Sequence, residues 1–273
     1  MKQEHKRADL MLTELGLAQS REKARALIMS GVVYANEVKV TKAGEMLNSD
    51  TTLAVRENTI PFVSRGGLKL QKAIEKYGLN LQDLVAADIG ASTGGFTDCM
   101  LMHGAKKVYA IDVGYGQLDW KLRSDDRVVV MERTNARLME PDWFEEKLEF
   151  ASIDVSFISV GLILPNLHKC MENTAHLVVL IKPQFEAGRE KVGKNGVVRS
   201  KETHCEVIIN TVKKIVAIGF EMTALDYSPI TGPKGNIEFL FVGKKTEAPC
   251  AIDDDELSET VKALVNNAHG QLT

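Results

Sequence analysis

Cysteine is scarce: Cys99, Cys170, Cys205 and Cys250 are the four in 273 residues, widely scattered and without a CxxC pair. That excludes an obvious zinc-ligand set or disulfide framework. Long apolar runs are missing too. The longest clean run is 177–181, whereas a spanning helix needs about 20 apolar residues, so no membrane span is expected. The charged start, Met1-Lys2-Gln3-Glu4-His5-Lys6-Arg7, leads into no apolar h-region. A secretory signal is therefore not expected, and the reading is a cytoplasmic protein with reduced thiols. Collagen-like and low-complexity patterns are absent. Hydrophobic residues at 44% and charged residues at 26% are ordinary for a folded protein, and at about 150 residues per domain the length suits a small domain plus a medium one.

The net charge of −3 hides an asymmetry: residues 1–80 carry a net +4 and residues 81–273 a net −7. A basic front module on an acidic chain hints at nucleic acid, because Lys and Arg contacts to phosphate supply most non-specific affinity.

Residues 7–15 read as a short helix stopped by Gly16, and Ser20 as the N-cap of a second helix over 21–30, stopped by Gly31. A hairpin follows over 32–40 around Ala35-Asn36-Glu37, then a turn at Lys42-Ala43-Gly44 and a strand at 53–55. Asn36 suits a turn position of positive φ; Glu37 suits it less well than glycine would. These elements make a first domain over 1–60, with 61–67 as a linker marked by Pro61 and Gly66-Gly67. From residue 84 strand candidates at 84–89, 107–112, 127–132, 148–154, 176–182, 220–227 and 237–242 alternate with helical stretches. Such alternation predicts a parallel sheet with helices on both faces. The last two strands are separated only by 228–236, too short for a helical crossover, so they should pair antiparallel at one edge. A tail over 246–273 carries the acidic run Asp253-Asp254-Asp255-Glu256 into an amphipathic helix, where acids favour the N-terminal dipole.

After the first of these strands stands Asp88-Ile89-Gly90-Ala91-Ser92-Thr93-Gly94-Gly95-Phe96-Thr97-Asp98, whose small residues let the backbone approach a ligand. The dinucleotide fingerprint G-x-G-x-x-G is not matched, and no Lys follows the glycines as in a P-loop. Asp112, at the end of the second strand, could accept hydrogen bonds from a ribose. Loop and acid together resemble the S-adenosylmethionine-dependent methyltransferase fold. That resemblance implies a Rossmann-like α/β architecture, a mostly parallel seven-stranded sheet with an antiparallel edge, preceded here by a small α+β domain. It implies a cofactor site lined by Asp88, Gly90, Ala91, Ser92, Gly94, Gly95 and Phe96, with Asp112 and Val113 next to the ribose and Thr134 and Asn135 near the adenine.

Four more residues stand at informative places: Lys69, Asp154, Lys182 and Glu238. Asp154 and Lys182 each end an apolar strand, and strand C-termini border the ligand crevice of a doubly wound sheet. The set looks like the Lys-Asp-Lys-Glu tetrad of ribose 2'-O-methyltransferases related to FtsJ. In that chemistry a poor hydroxyl nucleophile must lose its proton as it attacks the sulfonium methyl, and a lysine can take it if desolvation and a neighbouring cation favour the neutral amine. The implied roles are Lys182 as general base, Asp154 and Glu238 orienting it, and Lys69 tuning it or positioning the ribose, with no metal required.

Residues 7–55 resemble the alpha-L RNA-binding motif of ribosomal proteins and pseudouridine synthases, through Arg7-Ala8-Asp9, Ser20-Arg21-Glu22-Lys23-Ala24-Arg25, Leu27-Ile28, Gly31-Val32-Val33 and Val38-Lys39-Val40. Arg7, Arg21, Lys23 and Arg25 are candidate RNA contacts; Arg65 joins them, as do Arg189 and Lys191 from a basic, glycine-bearing loop at 186–201. With Ser64-Arg65-Gly66-Gly67-Leu68-Lys69-Leu70, Asp154-Val155-Ser156-Phe157 and Lys182-Pro183-Gln184-Phe185-Glu186, the chain is similar to the TlyA (hemolysin A) family of rRNA methyltransferases. The resemblance implies 2'-O-methylation of cytidine in ribosomal RNA, 16S, 23S or both, with ribosomal subunits as partners; oligomeric state stays open. Two alternatives are a catalytically silent RNA-binding ribosome-assembly factor and a membrane-active hemolysin, the latter opposed by the lack of an export signal or apolar span.

Overall fold

Ala8, Met11 and Leu12 recur at the spacing of one helical face, and α1 (Ala8–Glu14) buries all three. The structure is a computed structural model that describes residues 5–29, 31–55 and 60–272. The chain divides between Pro61 and Phe62 into two units.

In the first unit α1 packs with α2 (Arg21–Met29), whose start is capped by Ser20 Oγ accepting the Lys23 N–H at 3.2 Å. Ser30, the expected last residue of that helix, lies outside the described residues. β1 (His5–Arg7), which the sequence pattern does not announce, pairs antiparallel with β4 (Met46–Asn48). β2 (Val33–Ala35) lies between β3 (Val38–Lys39) and β5 (Leu53–Val55). Asn36 and Glu37 both take positive φ, 45° and 71°, so the hairpin turns through a primed two-residue loop even though the second residue carries a side chain.

The second unit begins earlier than the expected linker allows. Phe62 is buried, the Val63 N–H donates to Asp98 Oδ2 at 2.8 Å, and α3 (Gly67–Tyr77) starts inside the stretch read as 61–67 linker. Then come β6 (Val85–Ile89), α4 (Gly95–Met102), β7 (Lys107–Ile111), α5 (Trp120–Arg123), β8 (Val128–Met131) and β9 (Leu148–Ile153). They are followed by α6 (Leu164–Cys170), β10 (Met171–Ile181), α7 (Pro183–Glu186), α8 (Lys201–Ile218), β11 (Phe220–Tyr227), β12 (Phe239–Lys245) and α9 (Asp254–Leu272). The seven strands are ordered β11-β12-β10-β9-β6-β7-β8, parallel except that β12 runs antiparallel to both neighbours. β12 starts and ends later than the expected 237–242, because Lys244 and Lys245, which look like surface residues in sequence, pair with His176 and Phe220. β10 starts earlier than expected, its first residues set off from the rest by a register shift. The tail is not peripheral: α9 buries Leu257, Val261, Val265 and Ala268 in the same core as β10 and β12. Among the described residues no helix is long and apolar enough to cross a membrane.

Register positions the site. Ile89 pairs with Ile111 on one side and Ile153 on the other, so Gly90, Asp112 and Asp154 follow at one level of the sheet. The order reverses between β6 and β9, which opens a crevice at their carboxyl ends. Ile181 pairs with Phe239, so Lys182 leaves β10 beside Glu238 entering β12.

Candidate active site

The four residues expected as a tetrad converge at this edge of the sheet. Lys182 Nζ lies 2.5 Å from Asp154 Oδ1 and donates to Ser156 Oγ at 3.1 Å. Lys69, brought in by the first turn of α3, donates to Glu238 Oε2 at 2.6 Å and lies 4.0 Å from Asp154 Oδ2. Asp154 thus stands between two ammonium groups, and Glu238 takes a further contact from Gln184 Nε2 at 3.4 Å. Lys69, Lys182 and Glu238 are buried, Asp154 is half-buried, and all four line one cavity of about 250 Å³. Two cations and two anions balance, so the buried cluster carries no net charge in its ionised form.

The glycine loop borders the same cavity. Gly90 has φ 87°, and a Cβ there would overlap the Asp154 carbonyl, so only glycine fits where β6 and β9 release their chains. Gly90, Ala91, Ser92, Gly95 and Phe96 line the cavity, together with Ser64 and Thr93, which sequence reasoning did not single out. Gly94 does not line it; its place against Leu118 and Leu122 leaves no room for a Cβ, which makes it a packing glycine. Asp88 touches the cavity, but its Oδ2 is held by the Thr97 N–H at 2.8 Å and Thr97 Oγ1 at 2.7 Å, so it ties the first turn of α4 to β6. Burial pushes its carboxyl up to about 7, with the nearby Asp154 charge adding to the effect and the Thr97 bonds opposing it.

An adjoining cavity of about 310 Å³ shares Gly90, Ser92, Asp154 and Ser156 with the first and is also lined by Asp112, Val113, Thr134 and Asn135. Asp112 accepts the Ser92 N–H at 2.8 Å and the Gly114 N–H at 2.7 Å, so it braces the glycine loop. Asn135 Oδ1 accepts the Arg137 N–H at 3.1 Å, which gives it a turn-capping role as well. A third cavity of about 750 Å³ opens from Ser156, Lys182 and Glu238 towards Phe185 and Lys194. Phe157, at φ 65° and 90% exposed, lies 4.9 Å from Phe185 between ring centroids at its rim.

The expected RNA-contact residues divide. Arg7, Arg21 and Arg25 surround the fully buried Asp9 at 2.9, 3.2 and 3.3 Å, which fixes three partly exposed guanidinium groups on one face of the first unit. Their hydrogen bonds, Arg7 first, hold the Asp9 carboxyl far below the usual carboxylate range against the opposing effect of burial. Lys23 is exposed on the same helix. Arg65 lines the cavity that the four residues share, with Nη2 donating to the Thr231 carbonyl at 3.3 Å. Lys191 is engaged with Glu206 at 2.5 Å, so its charge is partly answered within the chain. The Arg189 side chain lies outside the described residues.

Comparison with known proteins identifies the two parts of the chain. A model of the FtsJ-like methyltransferase matches residues 62–245, and one of the S4 domain matches residues 6–53. The 16S/23S rRNA (cytidine-2'-O)-methyltransferase TlyA of Mycobacterium tuberculosis is 37% identical over 95% of this chain and 97% of its own length. Hemolysin A of Brachyspira hyodysenteriae is 44% identical over 86% of this chain and 98% of its own. A solved structure from Streptococcus thermophilus, described as a candidate hemolysin, superposes with a TM-score of 0.77 at 45% identity, covering 99% of this chain and 98% of that one. With an S4 domain ahead of an FtsJ-like methyltransferase and relatives of this similarity over nearly the whole length, the chain belongs to the TlyA (hemolysin A) family.

Proposed function

We propose that the protein transfers a methyl group from S-adenosylmethionine to the ribose 2'-oxygen of a cytidine in ribosomal RNA, 16S, 23S or both, presented by ribosomal subunits in the cytoplasm. The observation that carries the reading is the alternation Lys182–Asp154–Lys69–Glu238 beside a glycine-lined cavity at the reversal point of the sheet. The residues present suit this cofactor. Gly90 lines both cavities with bare backbone, at a left-handed position pressed against the Asp154 carbonyl where no side chain fits, and Asp112 and Val113 stand in the adjoining cavity where a ribose would lie. The cofactor, when bound, supplies an electrophilic methyl on sulfur; the chain supplies alignment and a proton acceptor.

Lys182 Nζ, in its neutral form, takes the proton from the 2'-hydroxyl as that oxygen attacks. Asp154 holds the amine and stabilises the ammonium that results. Glu238 fixes Lys69, whose charge faces Asp154 and keeps that carboxylate from being spent on Lys182 alone. The arginines gathered around Asp9 present a cationic face suited to RNA backbone, whose recognition rests largely on phosphate and shape.

The test is radiolabelled methyl transfer to purified small and large ribosomal subunits, comparing wild type with Lys182→Ala and mapping the product by resistance to alkaline cleavage. Transfer by the wild type that disappears in the variant is expected. Cofactor binding without transfer to either subunit would favour an assembly factor without catalysis, and failure to bind the cofactor would overturn the methyltransferase reading.

A further inference from the structure

Ser156 is the one residue among those described that lines the catalytic cavity, the adjoining cofactor-side cavity and the third cavity together with Lys182 or Asp154 in each. Its Oγ accepts from Lys182 Nζ at 3.1 Å while Asp154 Oδ1 lies 2.5 Å from the same nitrogen. Resting on the reading of Lys182 as the base, we propose that Ser156 is a positioning residue that aims the Lys182 lone pair.

The argument is stereochemical. A neutral amine on a lysine stem has two N–H bonds and one lone pair at the three free corners of a tetrahedron. With Asp154 as sole acceptor, rotation about Cε–Nζ leaves the lone pair free to face either remaining corner. A second acceptor removes that freedom: Ser156 Oγ holds one N–H, the Asp154 carboxylate in ion-pair contact draws the other towards itself, and the lone pair is left the third corner. In the transfer step the 2'-O–H proton moves to that lone pair as the oxygen–carbon bond forms and the methyl–sulfur bond breaks. Ser156 keeps its own proton throughout.

The loops around the two residues are built to hold this geometry. Lys182 precedes α7, and Glu186 at the other end of α7 reaches back to the Ser156 loop. There it accepts from Ser159 Oγ at 2.7 Å and from the Val160 N–H at 2.8 Å. Phe157 turns the chain at positive φ and sets its ring against Phe185 of α7. The loop after β9 and the helix after β10 are thus clasped at two points, and the serine and the lysine lie between them.

The full-length protein is tested as wild type, Ser156→Ala, Ser156→Thr and Lys182→Ala, with single-turnover methyl transfer to ribosomal subunits and cofactor affinity by calorimetry. Ser156 is exposed, so its loss leaves the fold intact. Ser156→Ala is expected to slow the chemical step about tenfold, the effect of one neutral hydrogen bond, with cofactor affinity and RNA KM changed less than about twofold. Ser156→Thr, which keeps the acceptor, recovers most of the rate. A Ser156→Ala rate equal to wild type overturns the proposal, as does a loss confined to KM or an equal loss in Ser156→Thr. A Lys182→Ala variant that retains the wild-type rate overturns the base assignment beneath it, and is distinguishable because it does not depend on either serine variant.

Discussion

Lys69 and Glu238, 169 positions apart in sequence, meet at 2.6 Å with side chains only 8% and 1% exposed. This contact fastens the first turn of α3 to the start of β12. Removing one partner of a buried pair strands the other charge, which costs about 3 kcal/mol or more, whereas replacing both by apolar groups of similar size is close to neutral. Glu238→Ala is expected to lower the unfolding free energy from urea melts by that order, with a lower midpoint, and Lys69→Met with Glu238→Leu to regain most of it while remaining without methyl transfer. A Glu238→Ala midpoint equal to wild type would show that the pair contributes nothing to stability.

Much of this edge was legible because each chemical residue follows an apolar strand: Asp112 after β7, Asp154 after β9, Lys182 after β10. Period and run length locate strand ends, and a parallel sheet places those ends side by side. The rest depends on contacts distant in sequence. Asp9 reads as an ordinary acid in a first helical turn, and only the fold shows Arg7, Arg21 and Arg25 converging on it. Ser156 carries no signal beyond its neighbours, since a serine after a strand is common in turns. The segment 61–67 has the Pro and Gly content of a linker, yet Gly67 serves a close approach: a Cβ there would overlap the Phe62 ring.

The approach at Gly90 predicts a sharp effect of a single methyl group. Gly90→Ala places a Cβ against the Asp154 backbone and in a left-handed conformation unfavourable for alanine by roughly 1 kcal/mol before any clash is counted. Cofactor affinity by calorimetry is expected to fall more than about tenfold, because the loop must move away from the crevice. Binding at the wild-type affinity would remove Gly90 from the cofactor site.

Asp9 predicts an acid-sensitive first unit. Its folded-state carboxyl titrates well below the unfolded one, chiefly through the Arg7 hydrogen bond, with Arg21 and Arg25 adding to it. A depressed carboxylate contributes stability above the unfolded value, about 4, and that contribution is lost as pH falls from there towards the folded value. Amide-exchange protection of α1 and α2 is expected to decline below about pH 4 in the wild type. Asp9→Asn, which keeps an acceptor but not the charge, should be less stable at neutral pH by about 1–2 kcal/mol and nearly indifferent to the same acidification. Equal acid sensitivity in the two proteins would assign it to other groups.

His204 predicts a second, milder pH window at the other end of the chain. On α8 it is fully buried, its Nδ1 lies 2.9 Å from His269 Nε2 on α9, and its ring meets Phe239 edge-on at 5.4 Å between centroids. One ring nitrogen of the pair donates and the other accepts, so charging both rings sets donor against donor. Burial above all, then the facing His269, lowers His204 from the usual 6.5 to about 4, against the opposing Val198 backbone contact. His269 is lowered by burial and by Lys201, with Glu202 opposing. Because the unfolded chain binds the proton more readily than the folded one, stability contributed here is complete above the unfolded value of 6.5 and falls with pH until the folded value near 4 is passed. Exchange protection of α9, corrected for intrinsic rates, should therefore decline from pH 6.5 to pH 4 in the wild type and stay nearly level in His204→Phe. Wild-type protection that does not change across this window would mean that the imidazole pair does not control the docking of α9.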